Sequence, residues 1–185
     1  MTTAEVRVAA AGDAAEIARI QRLTWRTAYA GLLGERALAE LDSSAERRWA
    51  EAIAFPGTTV HVAVEGGTTV GFCVAGLAPH EEVASASGTL PGDADRTGLI
   101  ATLLVEPRWG RRGHGGRLLA AAAEGLRLRG AERGISWVAE SDSASLGFFR
   151  HAGWRPDGTV RTLDTGERRL REVRLTGGLE LRLVP

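Results

Sequence analysis

Residues 105–119 read VEPRWGRRGHGGRLL, which places a proline, four arginines, four glycines and then an apolar pair within fifteen residues. Glycine is costly where a helix begins, because it loses more backbone freedom on folding than any other residue. Upstream, TGLIATLLVE (Thr97–Glu106) is a nearly continuous apolar run, the pattern of a central strand covered on both faces. Downstream, Leu118, Leu119, Ala122, Ala123 and Leu126 recur at helical spacing, and Gly130 is placed to end that helix in a left-handed conformation. A strand, a glycine-rich turn and a helix in that order leave unpartnered backbone N–H groups at the positive end of a helix. Glycine lets an anion approach that backbone, and neighbouring arginines add charge-assisted hydrogen bonds. The turn is therefore read as a phosphate or pyrophosphate site.

Charge supports a compact anion. Lys+Arg and Asp+Glu number 23 each, which argues against holding nucleic acid through broad electrostatics. Arg108, Arg111, Arg112 and Arg117 nevertheless form an acid-free positive island. No apolar stretch approaches the roughly 20 residues that span a bilayer. MTTAEVRVAAAGDAAE lacks a basic segment followed by an apolar one, so no membrane partner and a cytoplasmic location are expected. Cys73, alone in VGFCVAGLA, reads as a buried, inert thiol, and the four histidines show no zinc spacing, so no metal is expected. The 185 residues are read as one domain, 1–185.

The remaining pattern is a mixed α/β plan. VRVAA alternates like a strand, and DAAE (Asp13–Glu16) has the form of a capping box opening a helix with Ile17, Ile20, Leu23 and Thr24 inward. SSAE (Ser43–Glu46) opens another helix, carrying Trp49 and Ile53 and stopped by Pro56 and Gly57. TTVHVAVE and TTVGFCVAGLA form a hairpin about Gly66 and Gly67, with Val60, Val62 and Val64 on one face. Pro79–Arg96 has neither period and reads as a surface loop. ISWVAE is a strand, and SDSASLGFFRHAG is a short helix capped by Ser141 or Asp142, with Leu146 and Phe149 inward and Gly153 as its exit. The tail reads as two strands around Gly166.

Two nucleotide motifs come close and fail. Gly110 and Gly115 fit the P-loop spacing, but Gly116 and Arg117 replace its Lys and Ser/Thr, and the last glycine of the dinucleotide fingerprint would fall on Leu118. The stretch instead resembles the signature of the GNAT N-acetyltransferase superfamily, Q/R-x-x-G-x-G/A after a strand ending in V-x-P. Gly113 and Gly115 are its paired glycines, and Gly110 stands at the Q/R position, a departure from the pattern. DSASLGFFRHAGW resembles a second family pattern, with Asp142 at the Asn position, Ser145 at the Ala position, Phe148 and Phe149 at the aromatic pair, and Gly153 and Trp154 closing it.

The resemblance implies a central mixed, mostly antiparallel sheet flanked by helices on both faces, and acetyl-CoA as co-substrate without metal. By the same resemblance, Arg111, Arg112, Gly113, His114, Gly115 and Gly116 hold the pyrophosphate, mainly through backbone amides. Leu103, Leu104 and Val105 pair with the pantetheine arm like an added strand, with Asp142, Ser145 and Phe149 also on the cofactor. Trp25 and Tyr29 line the acceptor pocket, or are ordinary core aromatics. The implied reaction is direct acetyl transfer to the primary amine of a small molecule or peptide; the alternative is a non-catalytic acyl-CoA sensor on the same fold. Phe149 occupies the position of a tyrosine that often protonates the leaving thiolate, and Gly98–Val105 has no carboxylate. Candidate bases are therefore Glu140 and Glu82, with His80 and Glu81 beside the latter, acting through water. GGLELRLVP is a candidate contributor to a homodimer.

Overall fold

The apolar run ending at Val105 becomes the middle strand of a seven-stranded sheet. In a computed structural model, which describes residues 4–29, 31, 34–42 and 44–181, the strands are β1 (Ala4–Val8), β2 (Thr58–Glu65), β3 (Thr68–Leu77), β4 (Thr97–Val105), β5 (Arg133–Ala139), β6 (Arg155–Asp164) and β7 (Arg169–Gly178). Their order is β1-β2-β3-β4-β5-β7-β6, and β4–β5 is the parallel pair among antiparallel neighbours. The helices are α1 (Ala14–Thr24), continued by a π-helical turn Trp25–Tyr29, then α2 (Glu35–Asp42), α3 (Ala45–Ala54), α4 (His80–Val83), α5 (His114–Leu128) and α6 (Ser143–His151).

The period of two divides the sheet between two cores. Val60, Val62, Phe72 and Val74 face Ile17 and Ile20 of α1, while Ala63, Cys73 and Ala75 face the apolar stripe of α5. Ile17 and Ile20 are fully buried, each such side chain contributing roughly 1.5–3 kcal/mol. On the α5 side, buried Trp154 lies over two glycines. A Cβ at Gly134 would come within 2.5 Å of the indole, and one at Gly177 would clash harder still. Glycine there serves close packing.

Several local expectations need correction. Asp13 does not start the first capping box. Its carboxylate accepts the Ala10 N–H at 2.7 Å and a two-pronged contact from Arg7, so it closes a preceding 3-10 turn and α1 begins at Ala14. Ser44 is the N-cap of α3 and makes no side-chain cap bond; Ser43 lies outside the described residues. Helix α2 has no counterpart in the pattern reading. The supposed loop 79–96 contains α4 and a 3-10 turn, Ala94–Arg96, because Val83 and Ala94 are buried with Ile135. At the other end, β7 stops at Gly178, and the last residues of GGLELRLVP lie outside the described part.

Pairing between β4 and β5 is confined to Thr97–Leu99 and Arg133–Ile135, after which the strands part. The apex is pinned. Arg133 donates to both oxygens of Asp93 and to Thr176 Oγ1 at 3.2 Å, and the Glu132 N–H reaches the Arg96 carbonyl at 2.8 Å. The Arg133 hydrogen bonds hold the Asp93 carboxyl below its ordinary value of 3.8. Below that value the folded chain binds fewer protons than the unfolded one, so this contribution is complete above the unfolded pKa and is lost as pH falls through the folded one. Asp93→Asn should therefore be less stable than the parent at pH 6 and lose less further stability on acidification to pH 3. Urea denaturation at the two pH values checks this; equal losses would show that the pair carries no linkage.

Candidate active site

Directly after β4 comes a buried carboxylate. Glu106 is 1 % exposed and is held by Arg19 Nη1 at 3.0 Å and by Arg108, as a buried charge requires. A 3-10 turn, Pro107–Trp109, follows, and the chain then passes through left-handed Arg111 (φ 61°) and Gly113 (φ 80°) before α5 begins. Arg111 is the one described non-glycine residue in that region, a conformation that costs roughly 1–2 kcal/mol. The Arg117 N–H donates to the Gly113 carbonyl at 3.1 Å. The amides from Arg111 to Gly116 have no hydrogen-bond partner among the described residues, and residues 110–113 are exposed. These donors stand at the positive end of a helix of 15 residues.

The side chains of the turn mostly serve the protein itself. The His114 ring is buried and turned inward, with Nε2 2.7 Å from Glu65 and Nδ1 unpartnered, which leaves its backbone N–H at the turn. The Arg112 guanidinium lies 4.8 Å from the Trp109 ring centre and 3.4 Å from Glu65. Arg117 donates to the Arg112 carbonyl at 3.0 Å. Arg111 makes no ion pair among the described residues. A Cβ at Gly115 would stand 3.1 Å from the Phe148 ring and 3.8 Å from Leu103, so this glycine joins the turn closely to β4 and α6.

Beyond Leu99 the diverging strands enclose a cleft of about 250 Å³. Residues 101–104 of β4 form one wall and residues 136–139 of β5 the other, with Ser145 and Phe149 of α6 between them. Trp25 and three residues of the β6–β7 hairpin, Leu163, Leu170 and Glu172, complete it. Ser136 Oγ donates to the Ile100 carbonyl at 2.9 Å, bridging the strands where their ladder has stopped. The Glu106 N–H donates to Val70 of β3, so the alternation of an antiparallel pair turns the N–H groups of Val105 and Leu103 towards the opening. The cleft therefore contains an unpaired strand edge.

Leu103, Leu104, Ser145, Phe149 and Trp25 line this cleft. The Val105 side chain packs beside Gly71 of β3, while its backbone N–H faces the opening. Asp142 caps α6, accepting from the Ser145 N–H at 3.0 Å and Oγ at 2.7 Å, and does not itself line the opening. The Tyr29 side chain lies outside the described part of the structure. Neither candidate base lines the cleft: Glu140 is half exposed and pairs with Arg171 at 3.0 Å, and Glu82 pairs with Arg161 at 2.9 Å. The acid that does line it is Glu172. Its register opposite Ala139 brings it there, a pairing with no signature in the linear sequence.

Other reactive groups are remote or inert. Burial pushes the Cys73 thiol up to about 12, and burial likewise lowers the pKa of His61. Among the described residues no cluster of three metal-binding side chains occurs, and no helix is long and apolar enough to cross a membrane.

The same architecture recurs in solved structures. The PaiA N-acetyltransferase of Thermoplasma acidophilum, crystallised with coenzyme A, superposes with a TM-score of 0.73 at 14% identity, covering 95% of this chain and 99% of that one. YncA of Salmonella typhimurium, a putative acetyltransferase solved with acetyl-CoA, gives 0.69 at 19% identity, covering 98% and 97%. The ribosomal-protein-alanine N-acetyltransferase of Brucella melitensis gives 0.68 at 20% identity, covering 94% and 99%. No curated protein sequence matches significantly. The profile of the Acetyltransferase (GNAT) family matches residues 17–154. With its mixed, mostly antiparallel sheet, its parted central strands and this match over most of its length, the chain belongs to the GNAT acetyltransferase family.

Proposed function

We propose that the protein is an N-acetyltransferase that moves an acetyl group from acetyl-CoA to a primary amine by direct attack. The observation carrying this reading is that one opening joins two kinds of unpaired backbone donor. Open amides at residues 111–116 suit a diphosphate, and the free edge of β4 suits an extended amide-bearing arm. Gly115 lies 3.8 Å, measured from its Cβ position, from Leu103, so the two regions are contiguous. The ligands of the PaiA and YncA structures, coenzyme A and acetyl-CoA, support the same choice of cofactor.

On this reading the amides from Arg111 to Gly116 and the guanidinium of Arg111 hold the diphosphate. The edge at Leu103 and Val105 holds the pantetheine arm. The neutral amine attacks the thioester carbonyl, forming a C–N bond as the C–S bond breaks. Backbone donors of β4 oppose the charge developing on the carbonyl oxygen, and holding both reactants in the cleft supplies the orientation. The amine's proton passes to solvent, and the thiolate takes one from solvent, since Phe149 has none to give. A thiolate is a fair leaving group without an acid. No enzyme intermediate is involved.

Two measurements test the reading. Gly115→Glu brings a negative side chain into the turn, where its Cβ also crowds the Phe148 ring at 3.1 Å, and should weaken coenzyme A binding about 100-fold in calorimetry. Unchanged affinity would remove the assigned diphosphate site. Arg111→Gly relieves a left-handed arginine while deleting a cation. The ligand-free variant should gain about 1 kcal/mol in urea denaturation while binding coenzyme A about threefold to tenfold more weakly. Thiol release from acetyl-CoA across a panel of amines tests turnover; thiol release no faster than hydrolysis with every acceptor would contradict transfer.

A further inference from the structure

Among the described residues, Glu172 is the single acidic or basic side chain in the lining of the cleft. Its side chain is 14% exposed; Oε2 accepts Arg161 Nε at 2.6 Å, and Oε1 has no partner among the described residues. Arg161 does not neutralise it alone, because the same guanidinium also donates to Glu82 at 2.9 Å. Two carboxylates against one guanidinium leave the group with a net negative charge. The neighbouring cation, Arg174, is already committed to Asp157 at 2.7 Å, to Thr159 Oγ1 and to the carbonyls of Glu82 and Ala84. Arg161 is fixed further by lying 4.3 Å from the centre of the Trp137 ring.

The surface around Glu172 is apolar and aromatic. Trp25, Trp137, Leu163 and Leu170 share the cleft lining with it, and among the described residues no lysine, arginine or histidine does. A carboxylate with one unengaged oxygen in such surroundings favours a cation, and the Trp25 indole adds to that preference, the Trp137 ring being already faced by Arg161. An anion entering the same space would meet net negative charge and, among the described residues, no lining cation.

We infer that Glu172 selects the acyl acceptor, admitting a primary ammonium on an apolar or aromatic body and rejecting an amine that carries an adjacent carboxylate. This rests on the transferase reading for the term acceptor; the ammonium site itself rests on the cleft. Glu172 binds the cation, and the proton is lost to solvent before attack.

Three probes of one shape separate the contributions: 2-phenylethylamine, phenylalanine, which adds a carboxylate, and 2-phenylethanol, which removes the charge. Calorimetry with and without saturating coenzyme A should show the amine binding about tenfold or more tighter than either analogue. Glu172→Gln should abolish that preference while leaving coenzyme A affinity unchanged. Leu163→Lys, at an exposed position that leaves the Arg161 contacts intact, should weaken amine binding about tenfold and restore phenylalanine relative to it. The inference is overturned if the wild type binds the amine no better than the alcohol or phenylalanine, or if both variants retain the preference. Coenzyme A binding is a separate readout: its absence alongside intact amine selectivity would overturn the transferase reading and leave the ammonium site standing.

Discussion

Parallel pairing between β4 and β5 that stops at Leu99 and Ile135 is the constraint on which the site depends. β5 continues to pair with β7 from Arg133 to Ala139, so it follows β7 away from β4. The backbone groups left at the gap must then be satisfied by side chains, by water or by a ligand. Ser136 supplies one such bond, to Ile100, close to the apex. Farther out, the space widens into the cleft, and the β4 edge remains available.

The turn at its rim is built to keep backbone donors open rather than to display many cations. Glu106 takes up Arg19 and Arg108, and Glu65 takes up Arg112 and the His114 ring. Those pairs anchor both ends of the turn to the sheet, while left-handed Arg111 and Gly113 set its course. Arg111 is the exception, being exposed and without an internal ion pair among the described residues. Hydrogen bonding by fixed amides loses little conformational freedom on binding, which suits a charged ligand that must enter and leave at every turnover.

Much of this was legible because it is local. The apolar run, the glycines and the helical stripe lie next to one another in the chain, and the alternation of Val60, Val62 and Val64 assigns a face without any partner strand. Readings that depended on a distant partner went astray. Asp13 stands at the N-cap of α1, but its carboxylate turns back to Arg7 and Ala10 instead of capping that helix, and residues 79–96 gain structure because Val83 and Ala94 find Ile135. Glu140 stands at the end of β5, yet cross-strand pairing gives it Arg171 and brings Glu172 to the cleft instead. Register between β5 and β7 decides between these two acids, and nothing in either segment alone encodes it.

The most direct measurement is the response of the Gly113, Gly115 and Gly116 amides in a ¹⁵N–¹H correlation spectrum during titration with coenzyme A and, separately, with pantetheine. If these N–H groups hold the diphosphate, their proton resonances move downfield with coenzyme A and stay in place with pantetheine, which has no diphosphate. Resonances that ignore coenzyme A, or that respond equally to both compounds, would contradict the account.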